Sequence, residues 1–143
     1  MSSRLNPYLG FRDNARQAME FYQSVFGGEL ALSTFGEMYA SDDPAEAGKI
    51  MHGMLETPQG YTIMGADTPN SMEYVPSTNQ HSVSLSGDAD DEEALRGYFD
   101  KLAGSGQVTV PLEKAPWGDF FGMCVDGYGV NWLVNIAGGA QQS

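Results

Sequence analysis

Basic side chains are scarce in this sequence, which has 7 Lys and Arg residues against 19 Asp and Glu residues and a formal net charge of -12. Proteins that bind nucleic acid neutralise phosphates with clustered Lys and Arg, so this balance excludes nucleic acid as a partner. It also argues against attraction to an anionic membrane surface. The composition instead favours a small organic ligand that is neutral or cationic.

Cysteine and long apolar runs are equally scarce. Cys124 is the only cysteine, which excludes an internal disulfide framework and a multi-cysteine metal site. No apolar run approaches membrane-spanning length, and the first residues lack the apolar stretch of a signal peptide. We therefore expect a cytoplasmic protein with no membrane partner.

The apolar content is sufficient for one folded domain over residues 1–143, because 41% of the residues are hydrophobic. Apolar residues at helical spacing predict a helix over 15–26, which begins at an N-cap oxygen from Asp13 or Asn14 and ends at Gly27. Alternating and turn-bounded patterns predict the strands. The predicted strands are 8–11, 29–35, two within 49–67 joined at 57–60, 81–86, 107–113 and a hairpin within 117–135, and a second helix opens in the acidic run 88–93.

The order strand, helix, strand, hairpin occurs twice, which indicates an internal repeat. Gly53–Ala66 aligns with Gly122–Asn135 without a gap, and Gly60 falls on Gly129 in that alignment. The predicted parts are a first βαβββ module over 6–67, a linker over 68–80 and a second βαβββ module over 81–136.

A βαβββ module covers one face of its small sheet with its helix and leaves the other face open. We expect two such modules to form an α+β fold, with a curved mixed sheet around a cleft and the helices outside. Clefts between repeated units are common ligand sites. This fold class predicts a small-molecule site lined by strands.

Five segments in a specific order cover most of the chain: PYLGF (7–11), AMEFYQSVFGGEL (18–30), TFGEM (34–38), KIMHGML (49–55) and WGDFFGMCVDGYGVNWLVN (117–135). Together they resemble the vicinal oxygen chelate superfamily, which comprises glyoxalases, bleomycin-resistance proteins and extradiol dioxygenases. Within it the chain is similar to the PhnB-like branch, which often carries the label 3-demethylubiquinone-9 3-methyltransferase-like. The resemblance implies the glyoxalase/bleomycin-resistance fold.

The resemblance also implies a divalent metal held by His and Glu from the first and last strands of each module. The matching positions here are Asn6, His81, Asn135 and a fourth near Ala66, with Asp67 next to it. Amide oxygens are weak ligands for transition metals, so we expect a largely degenerate site with His81 as its one imidazole. A rescued site that combines His81 with Asp67 or Glu56 stays open. The expected cofactor is therefore none, or a weakly held divalent metal.

Both histidines have a structural and a functional interpretation. His81 shares a predicted strand face with Val83 and Leu85, and it binds nothing if that face packs on a helix. His52 shares a face with Met54, and we expect it to face the cavity because the opposite face suits the helix side. There it is either a hydrogen-bonding strand residue or an acid–base group.

Methionines and aromatic side chains on the predicted strands suit the wall of a ligand site, although core filling is their commoner role. Glu37 and Met38 belong to a segment that the resemblance puts at the cleft edge. Cys124 has no activating neighbour in the sequence and is expected to be a small buried residue. The predicted ligand-lining residues are His52, Met54, Met64, Phe35, Glu37, Met38, Trp117 and Phe121, with Trp132 as a further aromatic wall.

Three functions are compatible with these features. The favoured one is a small-molecule-binding protein of the glyoxalase/bleomycin-resistance type with a degenerate metal site. The second is a divalent-metal-dependent lyase, isomerase, dioxygenase or thiol transferase, and the third is a non-catalytic dimerising module. The resemblance and symmetry favour a homodimer. A methyltransferase finds no support, because no strand, glycine-rich turn and helix unit is present to bind a methyl donor.

Overall fold

The computed structural model describes residues 5–37, 45, 47–69 and 81–138. The chain forms two compact units, unit 1 (Met1–Pro76) and unit 2 (Ser77–Ser143). Within the described residues, each unit has one α-helix and four strands, in the order strand, helix, strand, strand, strand. Neither of these helices is long and apolar enough to cross a membrane.

Unit 1 consists of β1 (Tyr8–Phe11), α1 (Ala15–Phe26), β2 (Glu29–Thr34), β3 (Ile50–Glu56) and β4 (Thr62–Asp67). Its four strands form one mixed sheet in the order β1-β4-β3-β2. β1 runs parallel to β4, whereas the β3–β4 and β2–β3 pairs are antiparallel. Helix α1 packs against one face of this sheet.

The core of unit 1 lies between α1 and its sheet. Apolar residues three or four positions apart give α1 one buried stripe, in which Met19 and Tyr22 are fully buried. Gly53 and Gly65 lie opposite each other in the β3–β4 pair, and a Cβ atom at either would contact Met19. Glycine at these two positions therefore lets α1 approach the sheet closely.

The N-terminus of α1 is capped by a residue distant in sequence. Asn14 occupies the N-cap position but makes no side-chain capping hydrogen bond among the described residues, and Asp13 has a φ of 73°. Instead, Oδ1 of Asp67 accepts a hydrogen bond from the amide of Ala15 at 2.9 Å, and Oδ2 accepts one from the amide of Ile50 at 2.9 Å. The prediction that Asp13 or Asn14 caps α1 is wrong, because a buried carboxylate on β4 takes that position.

Unit 2 repeats the element order with β5 (Val83–Gly87), α2 (Glu92–Gly104), β6 (Gln107–Lys114), β7 (Phe120–Val125) and β8 (Asn131–Ile136). Its mixed sheet has the order β5-β8-β7-β6, with β5 parallel to β8 and the other pairs antiparallel. The face toward α2 buries the alternate strand residues Leu85, Cys124 and Val134. Leu95 and Leu102 of α2 are fully buried in the same unit.

The acidic run at the start of α2 is a capping structure. Ala89–Asp91 form one 3-10 turn in front of the helix. Oδ1 of Asp88 accepts from the amide of Asp90 at 3.0 Å, and the carboxylate of Asp91 accepts from the amide of Asp88 at 3.3 Å. These carboxylates cap the 3-10 turn in front of α2, and Glu92 and Glu93 in the first turn of α2 favour the positive end of its dipole, as the sequence predicted.

The two hairpin turns have the same hydrogen bonds. In unit 1 the amide of Thr57 donates to the carbonyl of Tyr61 at 3.0 Å, and in unit 2 the amide of Asp126 donates to the carbonyl of Val130 at 3.0 Å. Gly60 and Gly129 occupy the same place in the two turns, with φ of 90° and 86°. The gapless sequence alignment of the hairpins therefore extends to the backbone conformation.

The α+β fold class is confirmed, with one mixed sheet and one α-helix in each unit. The largest difference from the predicted elements lies at the start of β5. His81 precedes this strand, is exposed, and its carbonyl accepts a hydrogen bond from Nδ2 of Asn131 at 3.1 Å. β5 begins at Val83, so His81 is not part of the strand face that Leu85 buries.

Candidate ligand-binding faces

A row of large side chains crosses the face of the unit 1 sheet that α1 does not cover. In the strand register, Tyr8 lies opposite Met64 and Met64 lies opposite Met54. These residues alternate with the glycines that face α1, so their side chains lie on the other face. Tyr8 is 55% exposed, and both methionines are half-buried. We call this set, together with His52, the Tyr8 face.

His52 gives the Tyr8 face its polar chemistry. The hydroxyl oxygen of Tyr8 lies 3.4 Å from Nδ1 of His52, and the two ring centroids are 5.8 Å apart. A neutral imidazole has one donor and one acceptor nitrogen, so this pair can orient a polar group of a ligand from either ring. The structure thus places His52 on the face of the unit 1 sheet that α1 does not cover.

Tyr8 was not among the site residues predicted from the sequence. The signal was present in the alternation of the segment YLGF, in which Phe11 is buried and Tyr8 is exposed. An isolated strand of this length does not reveal which of its faces the helix covers. The contact with His52 depends on pairing with β4 and β3, which no local pattern encodes.

The predicted residues after β2 occupy different environments. Phe35 is only 6% exposed and belongs to the core of unit 1 rather than to the Tyr8 face. Oε1 of Glu37 accepts from the amide of Thr34 at 2.9 Å, and the amide of Glu37 donates to Oγ1 of Thr34 at 3.1 Å. Glu37 therefore stabilises the turn that ends β2. Met38 lies outside the described residues.

Unit 2 presents an aromatic and acidic set on the face that α2 does not cover. Phe121 lies opposite Asn135 on one side and opposite Glu113 on the other. Their positions alternate with Gly122, which is buried toward α2, so they belong to the opposite face. We call Phe121, Asn135 and Glu113, together with Trp117 and Asp119, the Trp117 face.

A tight turn between β6 and β7 holds Trp117 beside Phe121. The amide of Gly118 donates to the carbonyl of Ala115 at 2.9 Å, and the amide of Ala115 donates to the carbonyl of Asp119 at 2.7 Å. Gly118 has a φ of 103°, in the left-handed region that favours glycine. The Trp117 and Phe121 rings meet edge to face, 5.5 Å apart at 69°, while Trp117 stays 56% exposed.

Asp119 is the charged centre of the Trp117 face. Its Oδ1 accepts from the amide of Gly138 at 3.1 Å, and its Oδ2 accepts from Nδ2 of Asn135 at 3.1 Å. The hydrogen bond from Gly138 lowers the pKa of Asp119 most, followed by those from Asn135 and the Trp117 side chain, and together they outweigh the opposing effect of burial. Asp119 is therefore ionised at neutral pH.

Asp119 is a second residue of the candidate site that was not predicted from the sequence. It stands between a turn glycine and two phenylalanines in WGDFF, which marks it as polar within an aromatic segment. Its hydrogen bond to Asn135 joins the beginning of β7 to the end of β8. That contact follows from the strand register and is invisible in the local sequence.

Trp132 and Cys124 are core residues of unit 2. Trp132 is fully buried, and its Nε1 donates to Oδ2 of Asp126 at 2.8 Å, so its proposal as an aromatic wall is wrong. Cys124 is 1% exposed, as predicted for a small buried residue. Burial, followed by the nearby charge of Asp126, raises the pKa of the Cys124 thiol to about 11, which keeps it protonated and unreactive.

The predicted metal-ligand positions do not form a set suited to a divalent metal. Both oxygens of Asp67 accept hydrogen bonds from backbone amides, and the amide of Asn135 donates to Asp119. Asn6 and His81 lie outside the strands, half-buried and exposed respectively. Among the described residues, no group of three or more His, Cys, Asp or Glu side chains can hold a metal ion. A carboxylate already committed to two amides is a poor replacement for a metal-binding Glu.

Comparisons with known proteins cover almost all of the chain. The family model described as 3-demethylubiquinone-9 3-methyltransferase matches residues 3–135. Protein YjdN from Escherichia coli K12 is 31% identical over 139 residues, which cover 92% of this chain and 94% of that protein.

Solved structures agree with this sequence match. Protein PA1353 from Pseudomonas aeruginosa has a TM-score of 0.81 and 34% identity, with 96% of this chain and 99% of that chain covered. A PhnB protein from Bacillus cereus has a TM-score of 0.73 and 27% identity, with coverage of 94% and 100%. A glyoxylase/bleomycin resistance protein/dioxygenase domain from Frankia, at 14% identity, TM-score 0.64 and coverage of 99% and 96%, shares the fold.

Proposed function

Because the chain belongs to the family described as 3-demethylubiquinone-9 3-methyltransferase, within the glyoxalase/bleomycin resistance/dioxygenase superfamily, we propose that it is a small-molecule-binding protein with a degenerate metal site. The proposed ligand is an organic molecule held by strand side chains. The Tyr8 face in unit 1 and the Trp117 face in unit 2 are its candidate contact surfaces.

The state of Asp67 is the observation that carries this proposal. Asp67 lies next to the fourth matching position, and it rescues a metal site only if at least one of its oxygens is directed at the ion. Both oxygens of Asp67 instead bind the amides of Ala15 and Ile50 inside unit 1. Releasing them to a metal leaves two buried amides without acceptors, which costs about 1–3 kcal/mol for each.

The side chains on the two faces support an organic ligand. Met54 and Met64 are flexible and polarisable, and such side chains adapt to varied apolar shapes. The Tyr8–His52 pair adds a small number of oriented polar groups to this apolar surface. A mostly apolar surface with a few polar groups is the usual composition of small-molecule sites.

Methyl transfer is not part of the proposal, although the family description names a methyltransferase. Nucleotide-like methyl donors bind at a glycine-rich turn between a strand and a helix. In unit 1 the link from β1 to α1 is Arg12-Asp13-Asn14, which contains no glycine. The amide of Ala15 at this helix start already donates to Asp67 rather than being directed at a phosphate.

Native mass spectrometry combined with elemental analysis tests the proposal on protein purified without chelators. We expect a retained organic mass and much less than one equivalent of transition metal for each chain. Incubation of the loaded protein is expected to leave the mass of the ligand unchanged. Conversion of the ligand to a product would contradict a binding function without catalysis and would indicate an enzyme.

A pair of histidine variants decides between binding and metal-dependent chemistry. We expect His81→Ala to change neither ligand retention nor metal content, because His81 lies outside the strands and is exposed. His52→Ala is the comparison variant: it removes the histidine of the Tyr8 face and should lower ligand retention without changing metal content. If the native protein holds one metal ion for each chain and His81→Ala loses it, the proposal is contradicted and a metal-dependent enzyme is favoured instead.

The same spectra report the assembly state. We propose a homodimer, because two-fold symmetry is the commonest arrangement of homo-oligomers. We also propose a cytoplasmic location, which suits a free thiol kept protonated by burial. A monomer at micromolar protein concentration would contradict the proposed homodimer but would not affect the ligand-binding proposal.

A further inference from the structure

The Trp117 face combines exposed aromatic surface with negative charge. Trp117 is 56% exposed and meets Phe121 edge to face at 5.5 Å, so part of the indole face is open to solvent. Asp119 stands beside this pair and binds Asn135 and Gly138. Glu113 is exposed and lies opposite Phe121 in the β6–β7 register.

The basic residues of unit 2 lie away from this face. Arg96 is on α2, and its guanidinium lies 5.0 Å from the ring centre of Phe120, on the covered side of the sheet. Lys114 lies opposite Phe120 in the register and therefore shares that side. Lys101 belongs to the last turn of α2. The charged side chains assigned to the Trp117 face within the described residues are therefore both carboxylates.

We propose that the Trp117 face binds an organic cation, specifically an ammonium group that packs on the Trp117 ring between the carboxylates of Asp119 and Glu113. An indole ring attracts cations through its negative face, and it does so more strongly than other aromatic side chains. The carboxylates supply attraction over a longer range, and the net charge of -12 reinforces it. This inference rests on the proposed binding function and adds the chemical class of the ligand.

The hydrogen bonds around Asp119 make this assignment more specific. Its amide donors hold the carboxylate beside the indole, so the negative charge does not need to be ordered when the ligand arrives. An anion would meet two carboxylates here and be repelled. A neutral apolar ligand would gain contact with the rings but nothing from the charges.

A charge-matched pair of probes tests the inference. Choline carries a quaternary ammonium, and its uncharged tert-butyl analogue, dimethylbutanol, has nearly the same shape. The chain has two tryptophans, so a nitrogen-resolved NMR spectrum has two indole N–H signals, which Trp117→Phe assigns. The buried Trp132, bonded to Asp126, is the internal control.

We expect choline to shift the Trp117 indole signal saturably and leave the Trp132 signal in place. Dimethylbutanol should bind at least about fivefold more weakly. Asp119→Asn and Glu113→Gln should each weaken choline binding about threefold. Asp100→Asn, which removes an equal charge from the exposed surface of α2, should leave binding unchanged. Added sodium chloride should weaken choline binding through screening.

Equal binding of choline and dimethylbutanol would overturn the inference. Unchanged choline binding in both single variants, Glu113→Gln and Asp119→Asn, would also overturn it. Glu113→Gln keeps the test valid if Asp119→Asn disturbs the turn, because Glu113 is exposed. If choline fails while native mass spectrometry still finds a retained ligand, this inference falls and the proposed function stands. If no organic mass is retained and choline also fails, both fall.

Discussion

Asp67 and Ala15 are joined by a hydrogen bond of 2.9 Å, from the first amide of α1 to a carboxylate on the last strand of the same unit. The second carboxylate oxygen holds the first amide of β3 at the same distance. One side chain therefore fixes the start of a helix and the start of a strand. Asp67 therefore has a structural role, because it holds α1 and β3 to the end of β4.

Replacement of Asp67 tests that role. We expect Asp67→Ala to lower the free energy of unfolding by about 2–4 kcal/mol, because two buried amides lose their acceptor. Asp67→Asn keeps one acceptor oxygen and should cost less. Urea unfolding measures both variants, with Asp100→Ala on the exposed surface of α2 as the control. A loss below about 0.5 kcal/mol in Asp67→Ala would show that water replaces the carboxylate.

The Tyr8 face can be tested without disturbing the fold. Tyr8→Phe removes the hydroxyl that lies 3.4 Å from His52 but keeps the ring, and Tyr8 is already 55% exposed. We expect ligand retention in native mass spectrometry to fall about threefold, with the unfolding free energy changed by less than about 0.5 kcal/mol. Tyr98→Phe removes a hydroxyl from α2 in the other unit and should leave retention unaltered. Equal retention in the two variants would exclude a polar role for Tyr8.

Asp119 should make the stability of the protein sensitive to acid. Its pKa is lowered in the folded state below the ordinary 3.8, so the folded protein holds this proton less tightly than the unfolded chain does. The resulting stabilisation is present above the unfolded pKa and is lost as pH falls through the folded pKa. Urea unfolding from about pH 5 down to about pH 2.5 should show a shallower loss in Asp119→Asn than in the native chain. Parallel curves for the two proteins would contradict the assignment.

Cys124 should respond at the opposite end of the pH scale. Its folded pKa is raised to about 11, so the folded state favours the thiol and its stabilising effect is complete below the unfolded pKa. Stability should fall as pH rises from about 9 toward about 11, and Cys124→Ala should remove that part of the decline. Iodoacetamide is expected to label the native protein only as fast as it unfolds. Rapid labelling at neutral pH would show that the thiol is accessible in the folded state.

The hairpin glycines provide a test of the repeat. Gly60 and Gly129 have φ of 90° and 86°, and open space surrounds a Cβ atom at each. Substitution by alanine should therefore cost the backbone energy alone, about 1–2 kcal/mol, and about equally in the two units. Gly97 also has open space but lies within α2, so Gly97→Ala should stabilise the protein by about 0.5–1 kcal/mol. Unequal losses at Gly60 and Gly129 would show that the two turns differ in more than sequence.

The elements of this fold were largely predictable because each has a local signal. Helix α1 was predicted with the bounds that the structure has, since its apolar residues repeat at helical spacing and Gly27 ends it. The hairpin alignment was predictable for the same reason, because Gly60 and Gly129 must both adopt positive φ. The capping of the turn in front of α2 was predictable because the acids that form it are neighbours in sequence.

The contacts that define the candidate site were not predictable in this way. Asp67 and Ala15 are 52 residues apart in the sequence. Tyr8 contacts His52 only because β4 pairs between β1 and β3 and brings their strands together. Whether a tryptophan is exposed also depends on register: Trp132 faces α2 and is buried, whereas Trp117 lies in a turn. Long-range pairing decides these outcomes, so local composition gave Trp117 and Trp132 the same interpretation.

The parallel pairing of β1 with β4, and of β5 with β8, has a consequence for the order of folding. Within the described residues, the first strand of each sheet pairs with the last strand alone. During synthesis, β1 must therefore wait for β4, and β5 for β8, before either sheet is complete. A chain that stops before Asn131 leaves β5 without its partner, and the exposed strand is then a site for misassembly with another chain.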